Sequence, residues 1–187
     1  MVQPTGWVEV ICGCMFSGKT EELIRRLKRA QLAGQKVAIF KPVIDVRYHL
    51  ENIVSHNNNH ISSTPVQSAK EIIMHAPDHD VIGIDEVQFF DPNIVEVVGW
   101  LANHGKRVVV SGLDMDFAAK PFGPMPSIMA VAEFVTKLHA ICMKCGNEAS
   151  YSYRLVRSEE TFLLGETEAY EARCRHCYYQ SMDERNA

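Results

Sequence analysis

A chain of 187 residues with a formal charge of −4 and 47% hydrophobic residues is long enough for one hydrophobic core with a small appendage. No apolar run approaches the ~20 residues needed to cross a bilayer, and the start Met1-Val2-Gln3-Pro4-Thr5-Gly6 is neither basic nor apolar, so neither a membrane span nor a secretory leader is expected. The acidic balance argues against a nucleic-acid polymer as ligand, since such proteins present a basic face, and six cysteines without a leader are expected reduced or metal-bound, in the cytoplasm.

The run Val8-Glu9-Val10-Ile11-Cys12 predicts a first buried strand, followed by a helix on which Leu23, Ile24, Leu27 and Ala30 share one face and which Gly34 stops. Lys36-Val37-Ala38-Ile39-Phe40 predicts the second strand. From Lys41 to Pro65 no period is legible, and Asn57-Asn58-Asn59 marks a turn in what reads as a long functional loop. Ser68-Ala69-Lys70-Glu71 has the form of a capping box ahead of Ile72, Ile73 and Met74, predicting a short helix. Val81-Ile82-Gly83-Ile84 is a third strand, ending in Asp85-Glu86. Asp91-Pro92 offers an N-cap and a proline at the first position, leading Ile94, Val95, Val97, Val98 and Leu101 into an amphipathic helix that stops at Gly105. Val108-Val109-Val110-Ser111 is a fourth strand. Residues 112–126 read as loop, 128–132 as a short helix and 133–138 as a last strand. Strands alternating with helices predict an α/β domain over residues 1–138, a parallel sheet with helices on both faces and a ligand crevice at the carboxyl ends of its strands. From His139 the composition shifts to cysteines, charges and tyrosines, which predicts a second, smaller unit over residues 139–187.

Between the first strand and the first helix, Gly13-Cys14-Met15-Phe16-Ser17-Gly18-Lys19-Thr20 fits the phosphate-binding pattern G-x-x-x-x-G-K-[ST]. Its glycines let successive N–H groups turn inward at phosphate oxygens, and the helix N-terminus adds partial positive charge. Lys19 is expected to reach the β- and γ-phosphates of ATP, and the Thr20 hydroxyl to ligate Mg²⁺. Asp85, at the end of a buried strand, is expected to hold the same Mg²⁺ from the other side. Glu86 follows it directly, so one carboxylate manages the metal while its neighbour takes a proton from an attacking hydroxyl.

Two C-x-x-C pairs, Cys142/Cys145 and Cys174/Cys177, flank the 28 residues 146–173. Each knuckle supplies two thiolates, and the two together complete the tetrahedral sulfur shell of a structural Zn²⁺. A redox dithiol and four buried thiols are the rival readings. Phe89, Phe90, Phe117, Phe122, Tyr151, Tyr153 and Tyr170 crowd the segments between elements, where a flat ligand such as a base would be gripped by apolar walls.

The ordered set Gly13 to Thr20, Lys41-Pro42-x-x-Asp45-x-Arg47-Tyr48, Asp85-Glu86-x-Gln88-Phe89, Gly112-Leu113-Asp114-x-x-Phe117, Pro121-Phe122 and the two cysteine pairs resembles the type II, zinc-containing thymidine kinases across residues 8–178. The resemblance implies a P-loop NTPase-like sheet with a zinc-ribbon-like second domain, and transfer of the ATP γ-phosphate to the 5′-hydroxyl of thymidine, with deoxyuridine as a second substrate. It makes Glu86 the general base, and it sets Asp45, Arg47 and Gln88 with the phosphate loop around ATP. Met15, Phe89, Leu113, Phe117 and Phe122 would form the thymine pocket. A lasso between the cysteine pairs (about 146–173) would close over the base with Thr161, Phe162, Leu163, Leu164, Gly165 and Tyr170. Homotetramers and feedback inhibition by thymidine triphosphate also follow from the family. Three positions depart from its usual pattern: Cys14 for proline, Asn57-Asn58 for an acidic residue and glycine, and Glu166 for a glycine of the lasso. The alternative is a P-loop ATPase with a zinc ribbon acting on a nucleic-acid or protein partner, or a zinc-ribbon interaction module retaining a nucleotide pocket.

Overall fold

The computed structural model describes residues 6–43, 52–54, 60–156 and 169–186; Asp45, Arg47, Asn57, Asn58, Thr161, Phe162, Leu163, Leu164, Gly165 and Glu166 lie outside the described residues. Trp7–Gly13 (β1) leads into Lys19–Leu32 (α1), then Val37–Pro42 (β2), Asn52–Val54 (β3), His60–Ser62 (β4), Thr64–Val66 (β5), Ala69–His75 (α2) and Val81–Ile84 (β6). A 3₁₀ turn at Val87–Phe89 precedes Ile94–Asn103 (α3), Arg107–Gly112 (β7), Met125–Val131 (α4) and Phe134–Leu138 (β8). Six strands make one sheet in the order β5-β2-β6-β7-β1-β8, every neighbouring pair parallel. All five strands expected in the sheet are there. The sixth, β5, was not expected, because three residues show no alternation and Pro65 argues against a strand; it lies at the sheet's edge, where no outer neighbour needs a proline N–H. The stretch 41–65 is therefore not without structure: β3 and β4 also pair antiparallel within it.

The sheet is covered on both faces. Leu23, Ile24, Leu27 and Ala30 of α1 pack on Ile11, Ile39 and Val109 on one side. On the other, α2, α3 and α4 bring Ile72, Val98, Leu101 and Ile128 against Val10, Ile82, Ile84 and Val110. Each such leucine, isoleucine or valine, once buried, contributes about 1.5–3 kcal/mol. Glu9, the one charged residue of β1, is tolerated because Arg107 meets it at 2.6 Å and Arg26 at 2.9 Å. Burial opposes its ionisation, but hydrogen bonds from Arg107, Trp7 and Arg26 more than offset this and hold its carboxyl below the usual glutamate range.

Two helix starts differ from expectation. The Asp91 carboxylate accepts from the Asn93 N–H at 2.9 Å, as a cap would, but the intervening turn delays regular helix to Ile94. The same carboxylate accepts from the Ala69 N–H at 3.4 Å, so it joins the starts of α2 and α3. Helix α4 begins at Met125, inside the stretch expected as loop, because Pro124 and Pro126 occupy first-turn positions where a missing N–H goes unnoticed. The capping box at Ser68 is present as read, its N–H donating to the Glu71 carboxylate at 3.1 Å.

Past the sheet, Ala140–Ile141 (β9) pairs with Glu148–Ala149 (β10), Tyr151–Arg154 (β11) pairs with Tyr170–Arg173 (β12), and Arg175–Asn186 (α5) closes the described chain. A small apolar cluster of Cys14, Ala140, Cys142, Ala149, Ala172 and Cys177, with Phe16 against it, packs this region on the loop after β1.

Candidate functional site

Parallel strands that all point one way end at one edge, so Gly13, Asp85, Gly112 and Leu138 converge on a single crevice. The loop after β1 crosses it. Gly18 caps α1 in the left-handed region (φ 82°) and has no side chain, so the first N–H groups of the helix keep no side-chain cap and face outward to an anion. Lys19 is nearly buried and arches back over the loop, its Nζ donating to the Cys14 carbonyl at 2.7 Å; the Ser17 hydroxyl donates to the same oxygen at 2.8 Å. The Cys14 thiol points away from this concavity, toward the Ala149 carbonyl at 3.3 Å, and Phe16 turns with φ 65° to pack beside it.

Opposite stands Asp85. Its N–H still extends the ladder to Phe40, which fixes the backbone, while its carboxylate accepts from the Ser111 hydroxyl and from the Glu86 N–H (3.0 Å) and lies 3.4 Å from the Thr20 hydroxyl. Burial pushes its pKa up, against the pull of those hydrogen bonds and of the Lys19 charge. A buried carboxylate and a hydroxyl facing each other across such a gap are hard oxygen donors, the chemistry that suits Mg²⁺.

Glu86 adopts φ 51°, a conformation uncommon outside glycine that turns its side chain out of the strand line and into the crevice loop. Gln88, itself buried, holds it. The Leu113 N–H donates to Gln88 Oε1 at 3.0 Å, so the amide nitrogen faces the other way and donates to Glu86 Oε2 at 2.5 Å. Room for that amide comes from two glycines. A Cβ at Gly112 would sit 2.4 Å from Gln88 Oε1, and one at Gly123, whose φ is 50°, would sit 2.2 Å from the Gln88 carbonyl. The reading of the sequence grouped Gln88 with phosphate binding; in the structure its amide is engaged by Glu86 and the loop after β7.

Phe89 and Phe122 meet edge to face with ring centroids 5.4 Å apart, and Leu113, Phe117 and Met15 are half-buried around the same crevice. Tyr170 is buried on β12. Two contacts here were not legible in the sequence. The Met15 N–H donates to the Ser152 hydroxyl at 3.0 Å, and the Tyr178 hydroxyl donates to the Phe117 carbonyl at 2.7 Å, so the region bearing the cysteines holds both the phosphate loop and the loop after β7. A lone serine and a tyrosine far along the chain carry no motif; the packing of Cys14 and Phe16 on the cysteine region, and of Tyr178 against Met115 and Ala119, brings the segments close.

The four cysteines predicted to share a metal come together. Their sulfurs all lie within 4.8 Å of one another, Cys145 and Cys174 at 3.6 Å, against the ~3.8 Å edge of a tetrahedron with zinc–sulfur bonds of about 2.3 Å. Gly146, at φ 76°, lets its N–H return to the Cys142 carbonyl at 2.9 Å and closes the first knuckle. Desolvation works against the Cys142 thiolate, yet N–H groups of Cys174, Lys144 and Cys145 bring its pKa down to about 6, while hydrogen bonding with Cys145, together with burial, pushes Cys177 up to about 12. The site fits Zn²⁺ with no open coordination position. Among the described residues no helix is long and apolar enough to cross a membrane.

Comparison with known proteins agrees with this geometry. The model of the family described as thymidine kinase matches residues 6–178. Thymidine kinase of Bacteroides fragilis is 56% identical over 179 residues, covering 96% of this chain and 90% of the relative. That of Rhodothermus sp. is 57% identical over 173 residues (92% of this chain, 81% of the relative), and that of Porphyromonas gingivalis is 56% identical over 173 residues (92% and 85%).

Proposed function

The chain belongs to the thymidine kinase family, and from that premise we propose that it transfers the γ-phosphate of ATP to the 5′-hydroxyl of thymidine, with deoxyuridine as a second acceptor, in the crevice at the carboxyl ends of its sheet. The observation that carries the reading is Glu86, turned out of its strand and held by the Gln88 amide, which is anchored in turn on Leu113. A carboxylate fixed beside a phosphate loop and an aromatic wall suits removal of a proton from an organic hydroxyl.

Each residue then has a role. N–H groups of the loop Gly13 to Thr20 cradle the phosphates, and Lys19 exchanges the Cys14 carbonyl for a phosphate oxygen. Thr20 and Asp85 hold Mg²⁺, which when bound neutralises phosphate charge. Asp45 and Arg47 work near the sugar and phosphates. Glu86 accepts the 5′-hydroxyl proton while Gln88 keeps its carboxylate oriented. Met15, Phe89, Leu113, Phe117 and Phe122 flank the base, and the lasso residues Thr161, Phe162, Leu163, Leu164 and Gly165 close over it with Tyr170. Zn²⁺ on Cys142, Cys145, Cys174 and Cys177 ties the two ends of that lasso. Residues 1–138 act as the ATP-binding domain and 139–187 as the zinc-binding one.

The exposed Phe134 and Val135 on β8, an edge strand of the sheet, support a homotetramer. A nucleotide carrying both the base and three phosphates would offer one part to the aromatic wall and another to the phosphate loop, the chemical basis for feedback inhibition by thymidine triphosphate. Cys12 and Cys14 as free thiols, with the other four cysteines on zinc, suit a cytoplasmic location. The family match favours the kinase over a partner-driven ATPase. ADP release measured with and without thymidine tests the reading: turnover that depends on thymidine supports it, and turnover indifferent to thymidine refutes it.

A further inference from the structure

Arg154 is among the most buried side chains of the molecule, at 1% exposure, and it carries a full positive charge. Its guanidinium carbon sits over the Phe117 ring, 3.5 Å from the centroid, and the group donates to the Tyr170 hydroxyl oxygen from Nη2 at 2.7 Å and from Nε at 3.2 Å. Desolvating an arginine is costly, so a fold keeps it only where aromatic faces and acceptors meet the charge. Two of the groups meeting it come from separate segments. Phe117 belongs to the loop after β7, and Tyr170 opens β12 beyond the 157–168 segment. The Arg154 carbonyl also accepts from Arg185 of α5 at 3.0 Å, and its strand β11 is paired with β12 along its whole length, so the guanidinium projects from a fixed base.

We propose that Arg154 is a positioning residue for thymidine: it clamps Phe117 and Tyr170 at a fixed separation, so that the wall of the pocket on the sheet side and the wall on the zinc side are set together before the base arrives. This rests on the reading of Phe117 and Tyr170 as pocket walls. Lysine cannot substitute, because an ammonium has no planar face to stack on Phe117 and no fork to reach Tyr170 from two nitrogens. Phe117 and Tyr170 belong to the reading of the thymidine pocket and not to the phosphate loop, so the clamp is set to bear on thymidine rather than on ATP.

The test is a set of three variants, Arg154→Lys, Tyr170→Phe and Phe117→Leu, assayed for the KM of thymidine and of ATP, with zinc content checked in each. The clamp predicts that all three raise the thymidine KM by about tenfold while the ATP KM stays within about twofold, the size expected for loss of a desolvated cation–π or charge-assisted contact. It also predicts that Arg154→Lys and Tyr170→Phe combined cost no more than Arg154→Lys alone, since the lysine has already lost the contact that Tyr170→Phe removes. A thymidine KM unchanged in Arg154→Lys or Tyr170→Phe, with Phe117→Leu raising it, overturns the clamp and leaves the pocket standing. An unchanged KM in Phe117→Leu removes the pocket reading, and the clamp with it.

Discussion

At the scale of single residues, the centre of the account is a hydrogen-bonded relay of three groups: the Leu113 N–H, the Gln88 amide and the Glu86 carboxylate. Gln88 uses its acceptor on one side and its donor on the other, so neither can be removed without loosening the base. Replacing Gln88 with leucine leaves the part-buried Leu113 N–H without its partner, which costs up to about 1 kcal/mol, and frees Glu86 to leave its orientation. Denaturant unfolding of Gln88→Leu is expected to show that loss of stability. Steady-state kinetics are expected to show a fall in kcat of at least about tenfold with a smaller change in the ATP KM. A variant with native kcat would mean that Glu86 needs no such support. The glutamate and its neighbour aspartate could be named from the sequence because a pair of carboxylates at a strand end has few uses beside a phosphate loop. The supporting role of Gln88 could not, since it depends on a loop 25 residues away folding back over it.

At the scale of elements, the five core strands and four of the helices announced themselves through apolar period and stop signals; the strands lie where those signals put them, while α3 starts later and α4 earlier than read, because a turn follows Asp91 and two prolines sit at the start of α4. Strands β3, β4 and β5 did not, because three residues are too few for a pattern and their pairing is decided by what lies beside them. The loop after β7 shows how tightly packing and chemistry are joined. Gly123 reads as an ordinary loop glycine, yet its positive φ and its approach to the Gln88 carbonyl leave no room for a side chain. Gly123→Ala is therefore expected to lower stability by at least about 1 kcal/mol and to reduce kcat through displacement of Gln88, measured by thermal unfolding and turnover on the same preparation. Unchanged behaviour in both would show that the loop relaxes without moving the site.

At the scale of the whole molecule, the cysteine cluster and the phosphate loop are neighbours. Cys14 and Phe16 pack into the apolar cluster that contains Cys142 and Cys177, and Ser152 accepts from the Met15 N–H. The family resemblance makes the segment between the cysteine pairs a lid; the structure also sets the cysteine cluster behind the loop that carries the phosphate-binding pattern. Losing a ligand by Cys174→Ser is thus expected to lower zinc content and melting temperature and to raise the KM of ATP as well as that of thymidine. A change confined to thymidine would limit the metal to the lid. The central claim, that Glu86 takes the proton from thymidine, meets its most direct test in Glu86→Gln, assayed for turnover alongside equilibrium binding of ATP and thymidine. The account predicts that kcat falls by about 10²–10⁴ while both ligands still bind. Turnover near the native rate would contradict it.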